Sequence, residues 1–230
     1  MMMSLYQLFD TLQSNDAANQ SWADFIVKQL RGKRILEVAC GSGDLAAFLK
    51  ARGLEVLATD IDPQRLAIAR SKHPEVTYLP ADLRDLSGFG AYNAILATCD
   101  SLNYLQELSE VETFFTQAHQ HLTADGVLIF DILSQDRLAE FATEFEEEGV
   151  LGGQVYRWRI KANGRALYHE FTLYEKTPLV YRLTERVYFP NEIEKLLSGC
   201  GFEYRVYTDY RDLGYKKGER YGYVARRERV

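Results

Sequence analysis

Gly41-Ser42-Gly43 follows the apolar run ILEVA (35–39) and precedes the helical pattern DLAAFLKARG (44–53). A strand-to-helix turn of small residues lets a ligand approach the backbone, and the helix start offers free N–H groups to an anionic group. Glu37 sits near the carboxyl end of the first strand, and Asp60 ends the next, EVLATD, 17 positions after Gly43. An acidic side chain there accepts hydrogen bonds from both hydroxyls of a ribose. The segment G-S-G-D-L-A also fits GxGxxA, the nicotinamide and flavin fingerprint, so the loop alone leaves the ligand open.

Further candidates stand where strands end. Asp100 and Asn103 follow YNAILAT (92–98), and Asp131 lies in GVLIFDIL (126–133). The carboxyl end of a parallel strand is where an α/β sheet builds its site, although Asp100 and Asn103 also suit a turn. Tyr104 reads as packing or as a site residue, and Trp22 as a helix anchor or as lining of the same cleft. Asp82 suits the N-cap of the turn DLRDL. His169 alternates with Leu167 and Phe171, the pattern of an inward histidine with a partner, and it also ranks as a candidate base. Cys40, Cys99 and Cys200 form no CxxC pair and offer no zinc framework, so no metal is expected. Nothing near Cys40 lowers its pKa, so packing is its expected role, and Cys99 reads the same way.

These residues need a scaffold. ILEVA, EVLATD (55–60), VTYLP (76–80), YNAILAT and GVLIFDIL read as strands; 44–53, 61–72, about 109–121 and 134–147 read as helices. The alternation predicts a doubly wound, mostly parallel sheet covered on both faces. Residues 4–31 read as one or two amphipathic helices carrying Leu5, Leu8, Phe9, Leu12, Trp22, Phe25, Ile26 and Leu30. Glu146-Glu147-Glu148 reads as a solvated helix end. After Gly152-Gly153 the period becomes two: Tyr156, Trp158 and Ile160 alternate with Arg157, Arg159 and Lys161. Turns are expected at Asn163-Gly164 and Thr177-Pro178. A helix at 190–199 leads to FEYRVYTDY and RYGYVARRE, which close the sheet as an antiparallel pair. The expected division is one domain, 1–230. Helices over 1–33 precede a ligand-binding core over 34–149, a β insertion over 150–190 caps the site, and 191–230 completes the core.

The 230 residues carry 27 basic and 33 acidic side chains, a formal charge of −6, which disfavours a generic nucleic-acid binder. The first 149 residues hold 11 Lys/Arg against 23 Asp/Glu, whereas 150–190 hold 7 against 3. That basic segment reads as a solvated outer face whose Tyr156, Trp158 and Ile160 side packs inward, or else as a surface that meets an anionic partner. No apolar run approaches the roughly 20 residues that span a bilayer. The N-terminus lacks a signal-peptide pattern, and three sparse cysteines fit a reducing cytoplasm.

The ordered series ILEVACGSGDLAAFL, LATDIDPQRLAIAR, LPADLRDL, YNAILATCDSLNYL and LTADGVLIFDIL resembles class I S-adenosylmethionine-dependent methyltransferases. TCDSLNYL, FDIL and ERVYFPNEIEKLLSGCGFE are similar to a bacterial small-molecule-type subgroup; the resemblance covers about 34–209. It implies a Rossmann-like fold with an antiparallel final strand and S-adenosylmethionine as cofactor. Glu37 would orient the cofactor amine through its loop, and Ala39, Cys40, Gly41 and Gly43 would pass backbone against its amino-acid part. Asp60 would hold the ribose with Ile61 beside adenine. Asp82 would meet the adenine amine with Leu83 on its face. Thr98, Cys99 and Asp100 would lie near the methyl, and Trp22 near the carboxylate end. Ala39 stands where many members carry glycine, which suits a negative φ. The implied reaction moves a methyl to N or O of a small molecule, an anionic one suiting the basic segment, with RNA behind it. Asp100, Tyr104, Asp131 and His169 are the candidate bases. A nicotinamide-dependent oxidoreductase is the rival enzyme, disfavoured because no Tyr-x-x-x-Lys pair occurs. A non-catalytic S-adenosylmethionine-binding protein is the other rival. The expected state is monomer or homodimer.

Overall fold

The structure, a computed structural model, describes residues 7, 11, 12 and 16–228. Leu5, Leu8 and Phe9 lie outside the described residues. Helix α1 (Asp16–Gln29) leads into β1 (Arg34–Glu37), α2 (Asp44–Ala51), β2 (Glu55–Asp60), α3 (Pro63–Lys72), β3 (Thr77–Pro80) and β4 (Tyr92–Ala97). A 3₁₀ turn (Ser101–Tyr104), α4 (Leu108–His121), β5 (Leu122–Leu133) and α5 (Asp136–Glu140) follow. Next come β6 (Phe145–Leu151), β7 (Gln154–Asn163), β8 (Ala166–Tyr174), β9 (Leu179–Arg186) and α6 (Pro190–Gly199). The last elements are β10 (Phe202–Thr208), β11 (Asp212–Leu213) and β12 (Arg220–Arg227).

Eight strands form one sheet in the order β11-β10-β12-β5-β4-β1-β2-β3. β1 to β5 run parallel, and β12 lies antiparallel between β5 and β10. Strands buried on both faces need apolar residues on both, which explains the unbroken runs in β1, β4 and β5. Ile26, Leu45, Leu49 and Leu66 of α1 to α3 cover one face; Phe114, Phe115, Ile193 and Leu197 of α4 and α6 cover the other. Strand order reverses between β1 and β4, and the crevice outside their carboxyl ends is where such a sheet takes its ligand.

β6 to β9 form a separate antiparallel meander. It begins at Phe145, inside the stretch expected to be helical, and α5 covers only five residues of that stretch. The acidic run is a strand because β7 supplies its partners: Glu146 faces Arg159 and Glu148 faces Arg157. The Gly152-Gly153 and Thr177-Pro178 turns fall where the alternation put them; the hairpin between them turns one residue later than expected, at Gly164-Arg165, because Asn163 still pairs with Ala166. Register places Tyr156, Trp158, Ile160, Phe171 and His169 on one face of this cap sheet. That face packs on Leu12, Leu133, Phe141 and Val187.

Candidate functional site

The loop after β1 is held in an unusual backbone. Ala39, Gly41 and Gly43 have φ of 51°, 55° and 77°. The expectation of a negative φ at Ala39 is therefore not met; the alanine occupies a left-handed conformation that costs an L residue about 1–2 kcal/mol. Asp60 fixes the loop from the neighbouring strand. Its Oδ2 accepts from Gly41 N (2.8 Å) and its Oδ1 from Asp62 N (2.9 Å). A Cβ on Gly41 would meet only the Arg65 guanidinium, at 3.5 Å, so the space over the loop is open there. A Cβ on Gly43 would strike the Tyr78 hydroxyl at 2.4 Å.

Glu37 ends β1 beneath this loop at 3% exposure, and its Oε2 has no hydrogen-bond partner among the described residues. Burial, with the Asp44 and Asp60 charges adding, pushes its carboxyl up to about 8. A buried acid in this condition suits a cationic ligand group. Ile61, next to Asp60, is 65% exposed and offers an apolar surface at the crevice rim. Asp82 is already occupied: it accepts from the Arg84 backbone N–H (2.9 Å) and its guanidinium, which hold its carboxyl below the usual range. Leu83 beside it is half-buried. Burial pushes the Cys40 and Cys99 thiols up, away from nucleophilic reactivity.

A second constellation forms where β4, β5 and β12 meet. Thr98 is buried, and Cys99 and Asp100 follow it with φ of 57° and 61°. Asp131 clamps that strained pair, its Oδ2 accepting from Cys99 N (3.0 Å) and its Oδ1 from Asp100 N (2.7 Å). The Tyr210 hydroxyl donates to Asp131 Oδ2 at 2.6 Å. The Arg220 guanidinium sits 3.0 Å from Asp100 and 3.5 Å from Asp131 and stacks on Trp22 at 5.0 Å. Burial raises the Asp100 carboxyl against the pull of Arg220, with Asp131 and Glu185 adding to the rise. Arg220 and Tyr210 escaped the sequence reading. Their local signals, one arginine in the aromatic RYGYV and one tyrosine in DYRDLGY, acquire meaning only when β12 reaches β5.

The β6–β9 meander is bonded to the turn after β4. Asn103 Nδ2 donates to Arg186 O (2.6 Å) while its Oδ1 accepts from Leu133 N (3.0 Å), joining β9 to β5. Tyr104 is 41% exposed, the open side chain in an otherwise buried turn. Beside that turn, Glu185 of β9 pairs with His169 of β8, whose Nε2–H donates to Glu185 Oε2 at 3.0 Å. Arg157, Arg159 and Arg182 lie on the other face of the cap, where Glu170 pairs with Arg159 and Arg182. The described residues contain no cluster of His, Cys, Asp and Glu able to hold a metal, and no helix long and apolar enough to cross a membrane.

Comparison with known proteins agrees with this geometry. A family described as a methyltransferase domain matches residues 35–126. The YqeM protein of Bacillus subtilis (strain 168), named as a methyltransferase, is 30% identical over 224 residues, covering 89% of this chain and 88% of that protein. Among solved structures, an S-adenosylmethionine-dependent methyltransferase from Clostridium acetobutylicum ATCC 824 superposes with a TM-score of 0.82 at 23% identity, covering 96% and 97% of the two chains. The sugar N-methyltransferase KedS8 from Streptoalloteichus sp ATCC 53650 gives 0.79 at 19% identity, covering 99% and 95%. Fold, glycine loop and relatives converge, and the chain belongs to the class I S-adenosylmethionine-dependent methyltransferases.

Proposed function

We propose that this methyltransferase holds S-adenosylmethionine across the carboxyl ends of β1, β2 and β4 and methylates a small molecule admitted beneath the cap sheet. The observation that carries this reading is Glu37, a buried carboxyl with one oxygen unpartnered among the described residues, below an open glycine loop. It suits the ammonium of the cofactor. Gly41 and Gly43 curve the backbone around the amino-acid part, with Ala39 and Cys40 in the same turn. Asp60, oriented by two backbone N–H groups, receives the ribose hydroxyls. Ile61 and Leu83 flank adenine, and Asp82 reaches its amine by sharing a carboxylate with Arg84. Thr98, Cys99 and Asp100 border the methyl end, which Trp22 closes from α1.

The cofactor supplies an electrophilic methyl on a sulfonium. The chain's part is to align the acceptor and exclude water. Asp131 has both oxygens committed to the Cys99–Asp100 turn and acts as a positioning residue rather than a base. The acceptor's charge is not set by the basic segment, because Arg159 and Arg182 are paired on the outer face. Acceptor recognition belongs to the inner, aromatic face.

Calorimetry with S-adenosylhomocysteine tests the placement. Asp60→Ala weakens binding by about 1.5–3 kcal/mol, the cost of lost charge-assisted hydrogen bonds. Gly41→Val abolishes binding while the circular dichroism spectrum stays that of the parent, since a β-branched residue fills the loop and resists positive φ. Parental affinity in Asp60→Ala would remove the ribose from β2.

A further inference from the structure

We propose that the acceptor is an amine and that Glu185 is the catalytic residue that receives its nitrogen. This rests on the methyl-transfer reading above and names the substrate class for the same site.

The first support is placement. Gln106 Nε2 donates to Thr184 O (3.2 Å), Asn103 Nδ2 to Arg186 O (2.6 Å) and Tyr188 Oη to Leu105 O (2.5 Å). These bonds stitch the end of β9 to the turn that follows β4. Glu185, between Thr184 and Arg186, thereby lies beside the turn that carries Asp100 and Tyr104, at the methyl end of the crevice. Its charge is near enough to raise the pKa of both.

The second is the chemistry of the face. Register assigns Phe145, Glu147, Gly149 and Leu151 of β6 to the inner side of the cap, with Tyr156, Trp158, Ile160 and Ala162 of β7. It assigns Leu167, His169, Phe171 and Leu173 of β8 to the same side, with Tyr181, Leu183 and Glu185 of β9. Among the described residues of these four strands, no lysine or arginine stands on that side, and Arg220 across the cleft is paired with Asp100 and Asp131. Its acids are Glu147, which accepts from the Tyr156 hydroxyl, and Glu185. Glu185 is 5% exposed and His169 is 7% exposed. The histidine spends Nε2 on Glu185 and leaves Nδ1 buried without a hydrogen-bond partner among the described residues. A buried acid anchored by one histidine, in an aromatic wall, suits a nitrogen that arrives as the neutral amine and offers an N–H to it.

The reaction matches this wall. The nitrogen lone pair forms the N–CH₃ bond as the C–S bond breaks. The C–S electrons remain on sulfur as a neutral thioether, and the positive charge passes to nitrogen. Glu185 stabilises that charge as it develops and takes the N–H proton, later released to solvent. The same carboxylate repels a phenolate or carboxylate nucleophile. His169 is the positioning residue that fixes the carboxylate.

The purified protein is given methyl-tritiated S-adenosylmethionine and a protein-free metabolite extract of the organism's own cells, with S-adenosylhomocysteine calorimetry alongside. Label should enter products that a cation exchanger retains at pH 3 and that survive mild alkali. Glu185→Gln should lower that transfer about 100-fold, with Glu185→Asp recovering part of it and S-adenosylhomocysteine affinity unchanged in both. Label in neutral or anionic products, or in no small molecule, overturns the amine assignment. Glu185→Gln that transfers like the parent overturns the residue. Failure of the parent to bind S-adenosylhomocysteine strikes instead at the methyl-transfer reading.

Discussion

Replacing Glu37 by glutamine keeps the shape of a buried side chain and removes its titration. The folded carboxyl is pushed from 4.5 up to about 8 by burial and by Asp44 and Asp60. An acid whose folded pKa lies above its unfolded value binds its proton more tightly when folded. Stability therefore falls as pH rises through that window, from about 4.5 to about 8. At about 1.36 kcal/mol per unit, going from pH 5 to pH 8 removes roughly 3 kcal/mol of stability from the ligand-free protein through this one group. Glu37→Gln abolishes that slope. The assay is urea denaturation of parent and variant at pH 5, 6, 7 and 8 without ligand. The two profiles should converge near pH 5, and the variant should be the more stable by pH 8. S-adenosylhomocysteine should bind the parent more tightly as pH rises toward 8, because the ligand's ammonium group favours the ionised carboxylate, and the variant should lose this dependence. Parallel stability profiles would refute the account of Glu37 as a buried, destabilised acid.

Ala39→Gly relieves the left-handed alanine and should raise stability by about 0.5–1 kcal/mol in urea melts, the gain being limited by glycine's looser unfolded chain. Tyr78→Phe removes a buried hydroxyl without a hydrogen-bond partner among the described residues and should leave stability equal or higher; it should also soften the loss caused by Gly43→Ala, whose new Cβ would meet that hydroxyl. Asp131→Asn deprives the Cys99–Asp100 turn of one acceptor and Arg220 of one counter-charge, and should cost about 2–4 kcal/mol in the same melts.

The first half of the chain was legible because its signals are local. ILEVACGSGDLAAF carries strand, turn and helix in adjacent residues, and a carboxylate ending a buried strand, such as Glu37 or Asp60, stands out without knowledge of its neighbours. The segment around Glu146 misled because consecutive glutamates favour a helix in isolation, and only Arg157 and Arg159 across the hairpin make it a strand. Arg220 and Tyr210 were invisible for the same reason at longer range: they reach Asp100 and Asp131 through pairing about 90 residues away in sequence. Glu185 could be placed on a face by alternation, but not beside the turn that carries Tyr104, because that depends on bonds between Asn103 and Gln106 and the end of β9.

The insertion of β12 between β5 and β10 has a consequence for biosynthesis. A ribosome delivers β5 long before the strand that will pair with it, and at about 5–20 residues per second the wait lasts several seconds. During that interval VLIFDIL presents an unpaired apolar edge, the kind that recruits other strands. The nascent chain also lacks the arginine that balances Asp100 and Asp131. Cofactor capture and shielding of the β5 edge are therefore both postponed until residues 220–227 have emerged, and crowding by sister chains on one message would threaten this protein most in that window.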